Sequence, residues 1–130
     1  MLAHTIDDVF ELAEAALSAL GLAHTIDFEN KGSDDECISI EAQNIKLTIY
    51  PAVIKQKTIL PRSIVSAAWG VSEWKYDCGD RENPPDYYDK DLGTFFSMGK
   101  ALNFVISIFT QSLLFHLQEK LFPAPPELVY

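Results

Sequence analysis

Three sets of side chains in this 130-residue sequence could do chemistry: two cysteines with three histidines, a dense run of carboxylates, and the aromatics set among those carboxylates. Cys37 and Cys78 lie 41 positions apart with no CxxC, and His4, His24 and His116 stand far from both and from one another. Zinc sites draw ligands in close pairs. No metal is therefore expected, and nothing marks either thiol as activated. Neither phosphate-binding glycine loops nor HExxH nor GxSxG occurs. No catalytic residue and no cofactor is expected, and the chain is expected not to be an enzyme. A small enzyme without a recognisable motif is kept as the third alternative.

The carboxylates are the richer signal. Asp34, Asp35 and Glu36 fall together in one polar turn, and Asp77, Asp80, Glu82, Asp86, Asp89 and Asp91 crowd a later loop and the strand after it. The order of an EF-hand is absent, so a solvated acidic surface is expected there. Trp74, Tyr76, Tyr87 and Tyr88 lie in or beside that loop. Trp and Tyr dominate binding hot spots, and carboxylates around them steer a basic partner. The expected interaction set is Trp74, Tyr76, Asp80, Asp86, Tyr87, Tyr88, Asp89 and Asp91, facing a protein partner of basic character.

Charge distribution agrees. The net charge is −9; residues 1–41 hold ten acids and one base, whereas residues 42–72 hold four bases and no acid. A chain so acidic repels a phosphate backbone, and direct nucleic-acid binding is not expected. Met1–Gly21 carries Asp7, Asp8, Glu11 and Glu14 where a secretory signal would be uncharged. With two distant cysteines expected to stay reduced, the protein is read as cytoplasmic.

The elements that must position these residues follow from periodicity. Thr5 is a suitable N-cap, with Asp8 completing a shortened capping box. Ile6, Phe10, Ala13, Leu17 and Leu20 form a helical stripe, flanked by Val9, Leu12 and Ala16, and Gly21 supplies a left-handed stop. Alternation predicts strands over 24–29, 37–42 and 45–50, the last two joined by a Gln43-Asn44 hairpin. A strand near 53–59 precedes an irregular segment. Residues 67–77 read as a longer strand whose apolar side switches from Trp69 and Val71 to Trp74 and Tyr76. Either a bulge near Gly70 and Ser72 or a strand covered on both faces accounts for the switch. A last strand over 87–96 leads to a helix capped by Ser97 and running to about Lys120.

That helix has no charge from Ala101 to Gln118, 18 residues close to a bilayer-spanning length. Asn103, Ser107, Thr110, Gln111 and Gln118 lie near one line, opposite an apolar face of Leu102, Val105, Ile106, Phe109, Leu113 and Leu117. The stripe, the acidic balance and the lack of flanking Lys/Arg clusters indicate a core helix and no membrane. Phe104, Ile108 and Phe115 widen the apolar face, so a homodimer through this helix is the second reading of function.

One resemblance adds a context. The strand bearing Trp69 and Trp74, the loop with Pro84-Pro85-Asp86, the run Asp91-Leu92-Gly93-Thr94-Phe95 and the helix through Ala101 resemble the C-terminal halves of small phage and prophage α+β proteins. It covers about residues 67–120, and the final helix here is more apolar than in that pattern. The resemblance implies an accessory protein of a mobile element, some of which inhibit host machinery by binding it. The expected architecture is a single α+β domain over 1–122, followed by a Pro-rich tail, 123–130. It comprises an N-terminal helix, an antiparallel sheet of four to six strands, and a long C-terminal helix packed on one face.

Overall fold

A computed structural model describes residues 4–33, 35–52, 55–57 and 64–121. The chain runs β1 (His4–Thr5), α1 (Ile6–Ala19), β2 (Thr25–Glu29), β3 (Cys37–Ala42), β4 (Ile45–Pro51), β5 (Lys55–Lys57), β6 (Ile64–Ser66), β7 (Trp69–Asp77), β8 (Asp86–Phe95) and α2 (Met98–Leu121). Five strands form one antiparallel sheet in the order β2-β3-β4-β7-β8, and a small sheet sets β6 between β1 and β5. Both helices pack together and against the main sheet, α1 over β2 and β3, α2 over β4, β7 and β8. The fold is α+β, with helices on one face of an antiparallel sheet.

The N-terminus of α1 forms as its residues dictate. The Thr5 hydroxyl accepts from the Asp8 amide at 3.4 Å, and the Asp8 carboxylate accepts from the Thr5 amide at 3.0 Å. Such a reciprocal cap contributes about 1 kcal/mol. Gly21 takes a positive φ of 68°, as a left-handed helix stop requires. Ile6, Val9, Ala13 and Leu17 are buried, but Leu12 and Leu20, expected in or beside the buried stripe, are about half exposed at 47% and 54%. The face that meets the sheet is centred on Val9 and Ala13, which turns Leu12 and Leu20 outward. Phe10 instead stacks on Phe28 of β2, centroids 4.3 Å apart. Lys31 lies 4.0 Å over the Phe28 ring and pairs with Asp7, so one cation ties α1 to the β2 end.

The β3–β4 hairpin turns on Gln43 and Asn44, both at positive φ (53° and 62°), the type I′ geometry whose twist matches the strands. Its register pairs Ile38 with Ile49 and Ile40 with Leu47. Those four, with Trp69, Val71, Val105 and Phe109, are fully buried and make the centre of the core.

In β7 the register settles the change of apolar face. Trp69 and Val71 oppose Pro51 and Ile49 on the helix side, while Trp74 opposes Lys46 on the other side. The strand keeps its pleat, and its aromatics simply occupy both faces. The extra residue lies in β8: Val71 pairs with Gly93 and Ser72 with Asp91, leaving Leu92 unpaired. That bulge lets Leu92 and Phe95 pack against the core, while Asp89 and Asp91 stay on the opposite side. β5 lies within the strand expected near 53–59, whereas β6 is a strand where an irregular segment was expected, held by pairing with β1 and β5. The other residues of the expected strand, and the tail 123–130, lie outside the described residues.

α2 starts where expected, the Ser97 hydroxyl accepting from the Lys100 amide at 3.1 Å. Met98, Ala101, Leu102, Val105 and Phe109 are buried. Leu117, expected on the same face, is 42% exposed. The reason is length. A 24-residue helix extends about 36 Å at 1.5 Å per residue, and its buried residues all fall between Met98 and Phe109, so the turns from Leu114 onward run past its contact with the sheet. The last turns overhang the sheet. By length and composition alone α2 could cross a membrane, but its first half is already committed to the core.

His24 is placed between two acceptors, the Leu22 carbonyl at 2.7 Å from Nδ1 and the Glu14 carboxylate at 2.8 Å from Nε2. Only the imidazolium donates to both. The Leu22 carbonyl first, then Glu14, raises the His24 pKa, and the same contact lowers that of Glu14. The signs are opposite in pH. Stability from His24 is complete below its unfolded pKa, about 6.5, and is lost as pH rises through its raised folded value. Stability from Glu14 is complete above its unfolded pKa, about 4.3, and is lost as pH falls through its depressed value. A His24→Gln variant should therefore lose more thermal stability relative to wild type at about pH 5.5 than at about pH 8.5. Scanning calorimetry at the two pH values checks this, and an equal deficit at both would contradict it.

Candidate interaction surface

With both helices on one side, the other face of the main sheet is uncovered by any described helix, and register decides what it carries. Pairing aligns Asp27, Ser39, Thr48, Ser72 and Asp91 in one row across all five strands. The next row is Thr25, Glu41, Lys46, Trp74 and Asp89. On the same side Glu29 opposes Cys37, Tyr50 opposes Gly70, and Tyr76 opposes Tyr87. Five carboxylates, Asp27, Glu29, Glu41, Asp89 and Asp91, thus share this face with Lys46.

Lys46 shows what the face does with a cation. Its ammonium sits 3.5 Å from the Glu29 carboxylate and 5.8 Å from the Trp74 ring centre. Trp74 stacks on Tyr87 with centroids 5.5 Å apart and planes 7° from parallel, and Tyr76 leans on Tyr87 at 4.9 Å. The three rings remain 40–55% exposed. Stacking holds them rigid, so little side-chain entropy would be lost on contact with a partner.

A trough of about 390 Å³ lies beside the rings, lined among others by Asp35, Glu36, Cys37, Tyr50, Asp89 and Asp91. It adjoins a cavity of about 270 Å³ that reaches Glu29, Lys46 and Trp74 and shares Cys37, Thr48 and Asp89 with it. The Cys37 thiol is pushed up to about 11, by burial first and then by the Glu29 carboxylate. It is held as the neutral thiol at neutral pH. No histidine is among the described residues lining either cavity, and no group of three or more metal-ligating side chains occurs among the described residues.

Tyr50 closes one end. Its hydroxyl donates to Asp91 at 3.3 Å across β7, and burial, then the Asp91 carboxylate, raises its pKa. The ring crosses directly over Gly70, where an added Cβ would meet it at 2.2 Å. This close approach, rather than a bulge, is why glycine occupies position 70. A Gly70→Ala variant should swing the ring off β7, break the bond to Asp91 and cost about 1–3 kcal/mol, the usual penalty of forced overpacking. Urea denaturation measures the cost, and an unchanged midpoint would mean that the ring does not rest there.

Of the residues expected to meet a partner, Trp74, Tyr76, Tyr87, Asp89 and Asp91 come together on this face. Tyr88 pairs with Lys75 on the opposite side of the pleat, and Asp86 pairs with Asp77 at the strand end. Asp80 is taken up by its own loop, accepting from the Asn83 amide and then the Glu82 amide at 2.8 Å each, which lowers its pKa. The residues for self-association divide as well. Phe104 and Ile108 pack partly against the core, Phe104 leaning on Phe95 at 4.9 Å, whereas Phe115 is 57% exposed. Asp27, Glu29, Glu41, Lys46 and Tyr50 were absent from the expected set. Most were legible only as outward-pointing members of separate strands, with nothing to say that the strands would be neighbours. Comparison of the chain with protein-family models, curated proteins and solved structures gives no match. The class is set by the fold alone: a two-layer α+β domain with an acidic, aromatic open face.

Proposed function

We propose that this protein is a binding module that takes a basic protein partner on the open face of its sheet. The observation that carries the reading is the grouping of five carboxylates and three exposed aromatics in mutual contact on the main-sheet face that no described helix covers. Carboxylates raise the encounter rate with a cationic surface, and flat rings receive the aliphatic stems and guanidinium planes of Lys and Arg. The resemblance of residues 67–120 to phage and prophage proteins fits an accessory role in the cytoplasm, with a nucleic-acid-binding host protein as the basic target.

The test is affinity capture from a bacterial lysate, comparing wild type with a Trp74→Ala, Asp89→Lys variant. Basic proteins should be retained by the wild type and reduced roughly tenfold or more by the variant, as expected for loss of one ring anchor and reversal of one charge. The same basic proteins retained equally by both would refute the reading. A second reading, self-assembly through α2, is favoured by the exposure of Leu114, Phe115, Leu117 and Leu121 at 42–67% on the overhanging turns. Light scattering tests it: a strict monomer at high concentration removes it.

A further inference from the structure

Beyond the face itself, the edge strand beside it is open. β8 is ten residues long, and among the described residues it pairs with β7 on one side and with no strand on the other. Asp86 through Asp91 are all exposed. The outer edge of β8 therefore offers a row of backbone donors and acceptors to water, the arrangement that templates an added strand.

Side-chain placement says what kind of strand fits. Tyr87, Asp89 and Asp91 point to the open face at a spacing of two, the period of an incoming strand. Asp86, Asp89 and Asp91 stand against Lys90 alone, so the edge is acidic. A second copy pairing here would bring carboxylates close to carboxylates, which is destabilising. A basic segment would bring Lys or Arg beside Asp89 and Asp91 at cross-strand distance, its aliphatic stems against the Trp74–Tyr87 stack. The bulge at Leu92 ends the regular register and so bounds the site on that side.

We propose that β8 accepts an extended basic segment of the partner as a sixth strand of the main sheet, with Lys or Arg at alternate positions beside Asp89 and Asp91. This rests on the reading of a basic partner above and adds how that partner is held, by backbone pairing as well as charge.

The probe is a peptide of alternating Lys and Val, used with two analogues N-methylated at the Val amides or at the Lys amides, against the full ¹⁵N-labelled chain. On a strand, successive amides point to opposite edges, so one methylated set blocks pairing and the other does not. The parent peptide should protect amides within Asp86–Asp91 from hydrogen exchange. One analogue should bind roughly tenfold or more weaker while the other stays close to the parent, since a block of that size removes at least one or two backbone bonds. Asp89→Lys should weaken the parent peptide by a similar factor with the spectrum still dispersed. Equal affinity of all three peptides, or protection absent from β8, overturns strand addition and leaves the charged-face reading standing. No binding of any peptide at millimolar concentration overturns both. Protection of β8 without peptide, together with a doubled mass by light scattering, makes a second copy the occupant and overturns the proposal.

Discussion

Trp69→Ala is expected to cost about 3–5 kcal/mol, the range for truncating a buried aromatic. Trp69 is fully buried, aligned with Pro51 on one side and Phe95 on the other. Its loss would leave a cavity where the end of β4, the start of β7 and the end of β8 converge. Since small domains are stable by about 5–15 kcal/mol, this one change should remove a large share of the total. Trp69→Phe should behave differently. No described residue accepts a hydrogen bond from the buried Trp69 Nε1. Phenylalanine loses ring volume but removes a donor whose burial costs about 1–3 kcal/mol, so the net change should be within about 1 kcal/mol. Urea denaturation followed by circular dichroism measures both. If the two variants are equally damaging, the indole N–H has an acceptor and the packing account of this site is wrong.

The second large effect divides α2 at its midpoint. Phe109 is fully buried and Phe115 is 57% exposed, although both belong to one uninterrupted apolar helix. Phe109→Ala should cost about 3–5 kcal/mol, and Phe115→Ser should change stability by no more than about 0.5 kcal/mol. The contrast reads out where the sheet stops supporting the helix. Should Phe115→Ser destabilise as strongly as Phe109→Ala, the overhanging turns are covered in solution. Light scattering of the two variants at matched concentration would then show whether a second copy provides the cover.

Local features were legible because local rules governed them. Thr5 and Asp8 cap α1 reciprocally, Ser97 caps α2, and Gln43-Asn44 turns the hairpin, since capping and turn chemistry need only neighbours in the chain. The α+β order followed from two helical periods bracketing a run of alternating ones. The limits of burial were less legible. Leu12, Leu20 and Leu117 belong to apolar stripes, yet their exposure depends on how a helix sits on the sheet and how far it outruns it. The switch of apolar face within β7 was visible as a pattern, but its cause was not. A change of pleat phase and a two-sided strand leave the same mark on the sequence of one strand, and only the register with β4 and β8 separates them.

The candidate surface shows the same division more sharply. Trp74, Tyr76, Tyr87, Asp89 and Asp91 stood out because aromatic and acidic residues crowd one short stretch. Tyr88, adjacent to Tyr87, could not be separated from it until pleat parity put the two on opposite sides. Asp27, Glu29, Glu41 and Lys46 come from strands far away in the chain and join the surface only through lateral pairing. What the sequence determined by itself is therefore the two helices and the strands of the main sheet, their caps and turns, and the acidic aromatic character of residues 74–91, but not the small sheet of β1, β5 and β6. What only the tertiary structure decided is which faces meet. That is because hydrogen-bonded register couples residues many positions apart through backbone geometry that leaves no trace in the spacing of any single strand.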